Sequence, residues 1–216
     1  SFSSFIQKCR EWQLTILDLP TAFWQALITE LARTKEPFPE SVRLLFVGGE
    51  SLLPEKLKLW QQYIEEMLQT GKLRRVPQLI NAYGPTETTV EATYCDLSNY
   101  KLTENCTSVP IGRPINQTQI YILDQNLQPV PQGTQGELYI GGISLARGYL
   151  NQLELTQENF INNPFNPSER LYKTGDLGRY LADGNIEYLG RIDNQIKIRG
   201  FRVELGEIEN VLIQHS

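Results

Sequence analysis

Asn81-Ala82-Tyr83-Gly84-Pro85-Thr86-Glu87-Thr88-Thr89 is the stretch on which the reading of this chain turns. It follows Leu79-Ile80, an apolar pair that reads as the end of a strand, and the Gly84-Pro85 pair then forces the chain to turn. Past the turn come a carboxylate and three threonine hydroxyls. A rigid turn at a strand end that presents an aromatic face, a hydroxyl and a carboxylate suits a nucleotide and its metal. On these residues alone it reads equally as an ordinary strand-to-loop connection.

Working upstream, the grammar is strand, helix, strand, helix, strand. Residues 14–19 (LTILDL) read as a buried strand, and Pro20-Thr21 start a helix with Phe23, Leu27 and Leu31 on one face. Residues 42–47 (VRLLFV) give the next strand, ending in Gly48-Gly49. Pro54 opens a helix to about Thr70 that buries Leu57, Trp60, Ile64, Met67 and Leu68, and Gly71 stops it. Residues 78–83 form the third strand. This order predicts an α/β fold, with parallel strands covered by helices and ligands at the C-terminal ends of the strands. Asp18, Gly48-Gly49 and the opening stretch all lie at such ends.

Downstream of Leu97 the pattern changes. Residues 98–108 are a polar loop. Short strands are expected near 119–123, 137–141, 178–181 and 185–189, with helical patches near 144–150 and 155–160. This is antiparallel or barrel grammar. Residues 191–195 (RIDNQ) look like a polar joint, residues 196–205 (IKIRGFRVEL) read as a hairpin with Gly200 at its tip, and a helix begins near 206.

Composition narrows the classes. The chain has 216 residues, 40% of them hydrophobic, and a net charge of −5, so it can bury a sizeable core and offers no basic patch for nucleic acid. The run from Val42 to Val47 is far too short to span a bilayer, and nothing reads as a signal peptide. Three scattered cysteines and one histidine, His215, make neither a disulfide framework nor a zinc site. They argue against Ser-His-Asp or Cys-His catalysis and fit a reducing, cytoplasmic compartment. The start at Ser1, the single internal methionine and the end within a helical pattern suggest a fragment of a longer protein.

Four stretches occur in order: NAYGPTETT (81–89), GELYIGGISLARGYL (136–150), YKTGDLGR (172–179) and GRIDNQIKIRGFRVELGEIE (190–209). Together they resemble the adenylate-forming, AMP-binding superfamily, and in particular the amino-acid adenylation domains of nonribosomal peptide synthetases, over essentially the whole chain. Acyl- or aryl-CoA ligases of the superfamily usually carry lysine where this chain has Asp193 and diverge from the last stretch. A non-catalytic nucleotide-binding remnant is the alternative from another class.

The resemblance implies part of a large N-terminal domain, a parallel α/β sheet (1–98) plus a distorted β-barrel (99–190), then a hinge (191–195) and the start of a small α+β C-terminal domain (196–216). It also implies a two-step reaction. A carboxylate attacks the α-phosphate of ATP, with Mg²⁺ bound, to give aminoacyl-AMP and pyrophosphate. The thiol of a phosphopantetheine arm then takes the acyl group. The implied partners are a peptidyl carrier domain and a condensation domain of the same synthetase, with no nucleic acid and no membrane.

Residue by residue, Glu87 matches the magnesium carboxylate, since Mg²⁺ needs only one or two carboxylates beside phosphate and water oxygens. Thr86 matches the hydroxyl on the α-phosphate, Tyr83 the ring on the adenine, Asn81 the amide on the adenine edge and Gly49 the close backbone approach to the base. Asp176 matches the ribose-hydroxyl acceptor, Arg191 the arginine on the ribose and phosphate side, and Lys197 a lysine reaching the same groups. Asp193 matches the hinge at which the small domain rotates. Each has a plainer reading as a capping, turn or surface residue. Gly136, Glu137 and Arg147 read as structural.

By position the amino-acid pocket is expected to include Asp18, Phe46, Gly48, Ala82, Val90 and Glu91. Two carboxylates and two small residues suggest a long or basic side chain such as arginine, ornithine or lysine. Asp18 could equally cap the Thr21 helix. The family's Gly-, Ser- and Thr-rich phosphate loop, its acidic residue for the substrate amino group and its catalytic lysine are expected outside these 216 residues. A fragment lacking them is expected to be inactive alone.

Overall fold

The computed structural model describes residues 1–102, 108–193, 195–198 and 201–215, with backbone alone at 196–198, 201–202, 204–205 and 210. The chain divides into two compact units, Ser1–Asn81 with Asp96–Val109, and Ala82–Cys95 with Pro110–Ser216.

The first unit opens on α1 (Phe2–Glu11), a helix absent from the expectations above. Phe2, Phe5, Ile6 and Cys9 recur three and four apart on one face; Ile6 and Cys9 are buried, and the rings of Phe2 and Phe5 meet Phe23 edge-on. The Ser1 side chain caps it by accepting the amide of Ser4. Then come β1 (Ile16–Pro20), α2 (Thr21–Thr34), β2 (Leu44–Gly48), α3 (Pro54–Gln69) and β3 (Gln78–Tyr83), whose last two residues pass into the second unit. The three strands lie side by side in chain order, and β1 and β2 are parallel, with Asp18 opposite Phe46 and Pro20 opposite Gly48.

Period-two alternation sends Leu17, Leu19, Leu45 and Val47 into the core. From the helices, Trp24, Leu27, Ile28 and Leu31 of α2 and Leu57, Trp60, Ile64 and Met67 of α3 are buried. Trp60 stands at the centre of an aromatic cluster, its ring 6.0 Å from Trp24 and 5.4 Å from Phe38. Lys35 ends α2 in the left-handed region, its amide returning to the carbonyl of Leu31.

The second unit begins with a 3-10 turn (Thr86–Thr88) and the antiparallel pair β4 (Thr93–Asp96, of which Asp96 belongs to the first unit) and β5 (Arg113–Pro114). Next come β6 (Thr118–Leu123), β7 (Gly136–Gly142), α4 (Leu153–Asn159), β8 (Phe160–Asn162), β9 (Arg170–Tyr180) and β10 (Ile186–Arg191). These strands form an antiparallel sheet in the order β10-β9-β7-β6, with β8 also paired to β9. Ala92, Ile111, Ile120, Ile122, Leu138, Ile140 and Ile186 make its core. The antiparallel hairpin β11 (Gln195–Ile198) and β12 (Phe201–Glu204) leads into α5 (Leu205–Ile213). Its expected tip, Gly200, lies outside the described residues. No helix among the described residues is long and apolar enough to cross a membrane.

Two local expectations fail. Residues 144–150 form no helix. The carbonyls of Ala146 and Arg147, which a helix would pair internally, instead accept the Arg170 guanidinium at 3.0 and 3.1 Å. The short strand expected at 178–181 is the end of the eleven-residue β9. Thr174-Gly175-Asp176 reads as a turn, yet it continues the strand beside a register shift between Glu137 and Tyr139 of β7.

Candidate functional site

In the second unit the structure brings together four residues singled out from the sequence. Asp176 comes from the middle of β9, Tyr83 from the end of β3, Arg191 from the end of β10, and Asp193 from two residues beyond it. Asp176 is 6% exposed. One carboxylate oxygen accepts Arg191 Nη1 at 2.7 Å, and the other accepts the Tyr83 hydroxyl at 2.5 Å. Arg191 also donates Nε and Nη2 to the two oxygens of Asp193, both at 2.6 Å, so each of its three nitrogens makes a bond.

The surroundings are built to hold this arrangement. The Thr174 hydroxyl donates to the Leu138 carbonyl and accepts the Asp176 amide, which fixes the β9 backbone beneath the carboxylate. Glu137 accepts the Gly175 amide at 3.1 Å and the Tyr139 hydroxyl at 3.0 Å, so the residue read as structural also props the part of β9 that carries Asp176. Gly175 has φ +72°, and a Cβ there would stand 2.8 Å from Arg191 Nη2 and 2.9 Å from Asp193 Oδ2. A side chain at this position would push the fork apart. The Tyr83 ring lies 6.2 Å from that of Tyr188, against the sheet core.

Burial, then the neighbouring Asp176 charge, holds the Tyr83 phenol well above its ordinary range. For Arg191, burial lowers the pKa, but bonding to Asp193 and the charges of Asp176 and Asp193 outweigh it and raise it further. Both groups therefore keep their protons and donate to Asp176.

Glu87 lies in the 3-10 turn, 6% exposed. It accepts the Tyr149 hydroxyl on Oε1 at 2.7 Å, and its carbonyl accepts the Ala146 amide at 2.8 Å. Tyr149 is the residue missed from the sequence. It stands within a quoted stretch, but a partner 62 residues away leaves no trace in local spacing. Thr86 is exposed beside it. A buried carboxylate next to threonine hydroxyls is a hard oxygen donor set of the kind Mg²⁺ takes alongside phosphate oxygens. No cluster of three or more His, Cys, Asp or Glu fit for a metal occurs among the described residues, so a softer, all-protein metal cage has no support there.

The remaining candidates are described within their own units. In the first, Asp18, Phe46 and Gly48 share the face of β1 and β2 opposite the buried leucines; Asp18 is exposed and Phe46 half-buried. Gly49 follows β2, and Asn81 is 3% exposed within β3. In the second unit Ala82 is buried, and Glu91 accepts the Tyr94 hydroxyl. Val90 is 70% exposed, and it and Thr89 are consecutive β-branched residues at φ 73° and 57°. That backbone is uncommon for such side chains and is held by Thr89 donating to the Ser144 carbonyl at 2.7 Å. Lys197 belongs to β11, and its side chain lies outside the described residues.

Six phenols report on this packing. Burial first, with neighbouring charges or hydrogen bonds, raises Tyr63, Tyr83, Tyr139, Tyr149, Tyr180 and Tyr188, the last to about 12. Their folded values exceed the unfolded value of about 10, so the folded state holds these protons longer. The resulting stability is present below about pH 10 and is lost as pH rises through the folded values. Phenolate absorbance is therefore expected in two phases, the second coincident with loss of far-UV circular dichroism. A single phase near the free-tyrosine value, with the fold intact, would contradict this packing.

A buried carboxylate is thus gripped between a phenol and a guanidinium, beside the Tyr188 ring, on the antiparallel sheet of the second unit. Residues 2–150 match the family model described as AMP-binding enzyme, and the chain belongs to that family. It is 44% identical over 215 residues to tyrocidine synthase 1 of Brevibacillus parabrevis, covering 100% of this chain and 18% of that one. It is 60% identical over 205 residues to bacitracin synthase 3 of Bacillus licheniformis, covering 95% of this chain and 3% of the other. The chain thus spans less than a fifth of these relatives. Among solved structures it resembles NpsA-ThdA, an artificially fused adenylation-PCP di-domain NRPS from Klebsiella oxytoca. The TM-score is 0.78 at 26% identity, over 98% of this chain and 36% of that one.

Proposed function

We propose that the chain is part of an adenylation domain that activates an amino acid as aminoacyl-AMP and passes it to the phosphopantetheine thiol of a carrier domain in nonribosomal peptide synthesis. The observation that carries the reading is the Tyr83–Asp176–Arg191 constellation, assembled from three distant parts of a chain that belongs to the AMP-binding family. The likeness to a tyrocidine synthase and to an adenylation-PCP di-domain supports the amino-acid branch.

In this reading the Tyr83 ring covers the adenine, while Asn81 and Gly49 meet its edge. Asp176 accepts ribose hydroxyls in addition to its present donors, because each carboxylate oxygen has capacity for more than one. Arg191, kept cationic by its two carboxylates, holds Asp176 ionised and oriented. The Thr86 hydroxyl meets the α-phosphate, and Lys197 approaches the ribose side. Glu87 would hold Mg²⁺, which when bound neutralises charge on the phosphates.

Asp193 is the proposed hinge, dividing 1–98 and 99–190 of the large domain from the small domain at 196–216, with a condensation domain as a further partner and the cytoplasm as the compartment. Amino-acid-dependent ATP–pyrophosphate exchange by the full-length protein, profiled across the amino acids, tests the reading. Exchange with a restricted set is expected, and none from the 216-residue chain alone. Exchange stimulated by no amino acid, with thioester formed on coenzyme A instead, would replace it by the acyl-CoA ligase reading. A long or basic substrate side chain is proposed from the two carboxylates, Asp18 and Glu91, and the room left by Gly48 and Ala82.

A further inference from the structure

The segment between β7 and α4, read from the sequence as framing, is tied tightly to the turn that carries Glu87. Thr89 bonds the carbonyl of Ser144, and the Ala146 amide bonds the carbonyl of Glu87. The Tyr149 hydroxyl bonds the Glu87 carboxylate. The segment is itself anchored from behind. Arg170 takes the carbonyls of Ala146 and Arg147, and the Tyr149 amide donates to Thr156 Oγ1 at 2.8 Å. The Tyr149 ring meets Phe160 edge-on at 5.7 Å.

We infer that Tyr149 is a positioning residue for Glu87, fixing the orientation of its carboxylate toward Mg²⁺. The inference rests on the reading of Glu87 as the magnesium carboxylate. A carboxylate on a two-torsion stem can rotate and can bind a cation through one oxygen or two. A phenol donating to Oε1 selects one rotamer and one oxygen, and the ring that carries the phenol cannot follow the carboxylate if it swings, because Phe160 packs against it and Thr156 holds its backbone. Hydrogen-bonded ligating carboxylates are the usual case, and losing such an outer partner typically costs about 10–100-fold in metal affinity.

The test is equilibrium binding of a non-hydrolysable ATP analogue to the full-length protein at graded Mg²⁺ concentrations, so that no turnover is read. Tyr149→Phe keeps the ring and the Phe160 contact and removes only the hydroxyl. It is expected to raise the Mg²⁺ concentration for half-maximal binding by about tenfold and to leave Mg²⁺-free binding of the analogue unchanged. In a Glu87→Gln background the same change is expected to add nothing. Thr156→Val, which loosens the Tyr149 amide without touching Glu87, is expected to shift the requirement in the same direction by a smaller factor. That variant keeps the test alive if the phenylalanine variant does not fold. A lowered melting temperature with an unchanged Mg²⁺ requirement would make Tyr149 merely structural and overturn the inference. An unchanged requirement in Glu87→Gln would instead remove the magnesium reading of Glu87 itself.

Discussion

Asp176→Asn in the full-length protein is expected to lower kcat/KM for ATP in amino-acid-dependent pyrophosphate exchange by about 10–100-fold, the worth of one charge-assisted hydrogen bond of about 1.5–3 kcal/mol. Asparagine has nearly the same shape but offers one acceptor oxygen where the carboxylate offers two, and both are already engaged, by Tyr83 and Arg191. The amide must therefore present its NH₂ group to one of two donors. If it faces Arg191, a guanidinium whose side chain is 14% exposed keeps only Asp193; if it faces Tyr83, a buried phenol loses its acceptor. Either way a kinetic loss is joined by a lower melting temperature. The profile across amino acids should stay the same, because Asp176 is assigned to the nucleotide. A change in amino-acid preference without a change in the ATP term would reassign it.

The largest effect on folding is expected at Gly112. Its φ is +89°, and a Cβ there would stand 1.8 Å from the carbonyl oxygen of Tyr94 and 2.4 Å from the Cys95 amide nitrogen. Both obstacles are backbone, so no rotamer change relieves them. The glycine also sits in a tight weave: its carbonyl accepts the Ile186 amide at 2.8 Å, the Ile111 amide donates to the Ile186 carbonyl at 2.8 Å, and Thr93 donates to the Ile111 carbonyl at 2.6 Å. Gly112→Ala must separate these strands inside the core built on Ala92, Ile111 and Ile186. A loss of about 4–5 kcal/mol is expected, at the far end of the range for single substitutions. Gly133→Ala serves as the control. Its φ is +82° but a Cβ there meets nothing within 4 Å, so only the backbone term of about 1–2 kcal/mol should remain. Denaturant midpoints of the two variants measure the difference; equal midpoints would mean that the close approach at Gly112 is not real.

Much of this was legible in the sequence for physical reasons that can be named. The parallel strands carry apolar runs closed by Gly or Pro, and α3 carries its apolar residues three and four apart behind Pro54. Both signals are local and strong. α1 carries the same kind of signal, Phe2, Phe5, Ile6 and Cys9 standing three and four apart, and was overlooked although it is legible. β9 was misjudged because Thr174-Gly175-Asp176 has turn chemistry that the sheet accommodates as extra residues within β9, where 174–176 stand opposite the single β7 residue Leu138. At 144–150 the helical pattern is defeated by the distant Arg170, which claims the carbonyls.

The candidate site divides in the same way. Tyr83, Glu87, Asp176 and Arg191 came from motifs quoted as wholes, and the separation of 93 residues between Tyr83 and Asp176 was bridged by resemblance, not by spacing. The bond from Tyr149 to Glu87 belongs to no single motif. Only the folded chain joins the two, so it surfaced only in the structure.

Arg191 donates one nitrogen to the carboxylate assigned to the ribose and two to the carboxylate assigned to the hinge. A single guanidinium therefore enters two equilibria. If Asp193 turns away, Arg191 keeps one of its three bonds and is released to meet whatever anion lies on the Asp176 side. Thermodynamic linkage makes the exchange reciprocal: by whatever factor a bound nucleotide favours the parted fork, parting the fork favours the nucleotide by the same factor. On the proposed assignments, nucleotide occupancy and the posture of the joint would then be two readings of one binding polynomial, coupled through the side chain of residue 191.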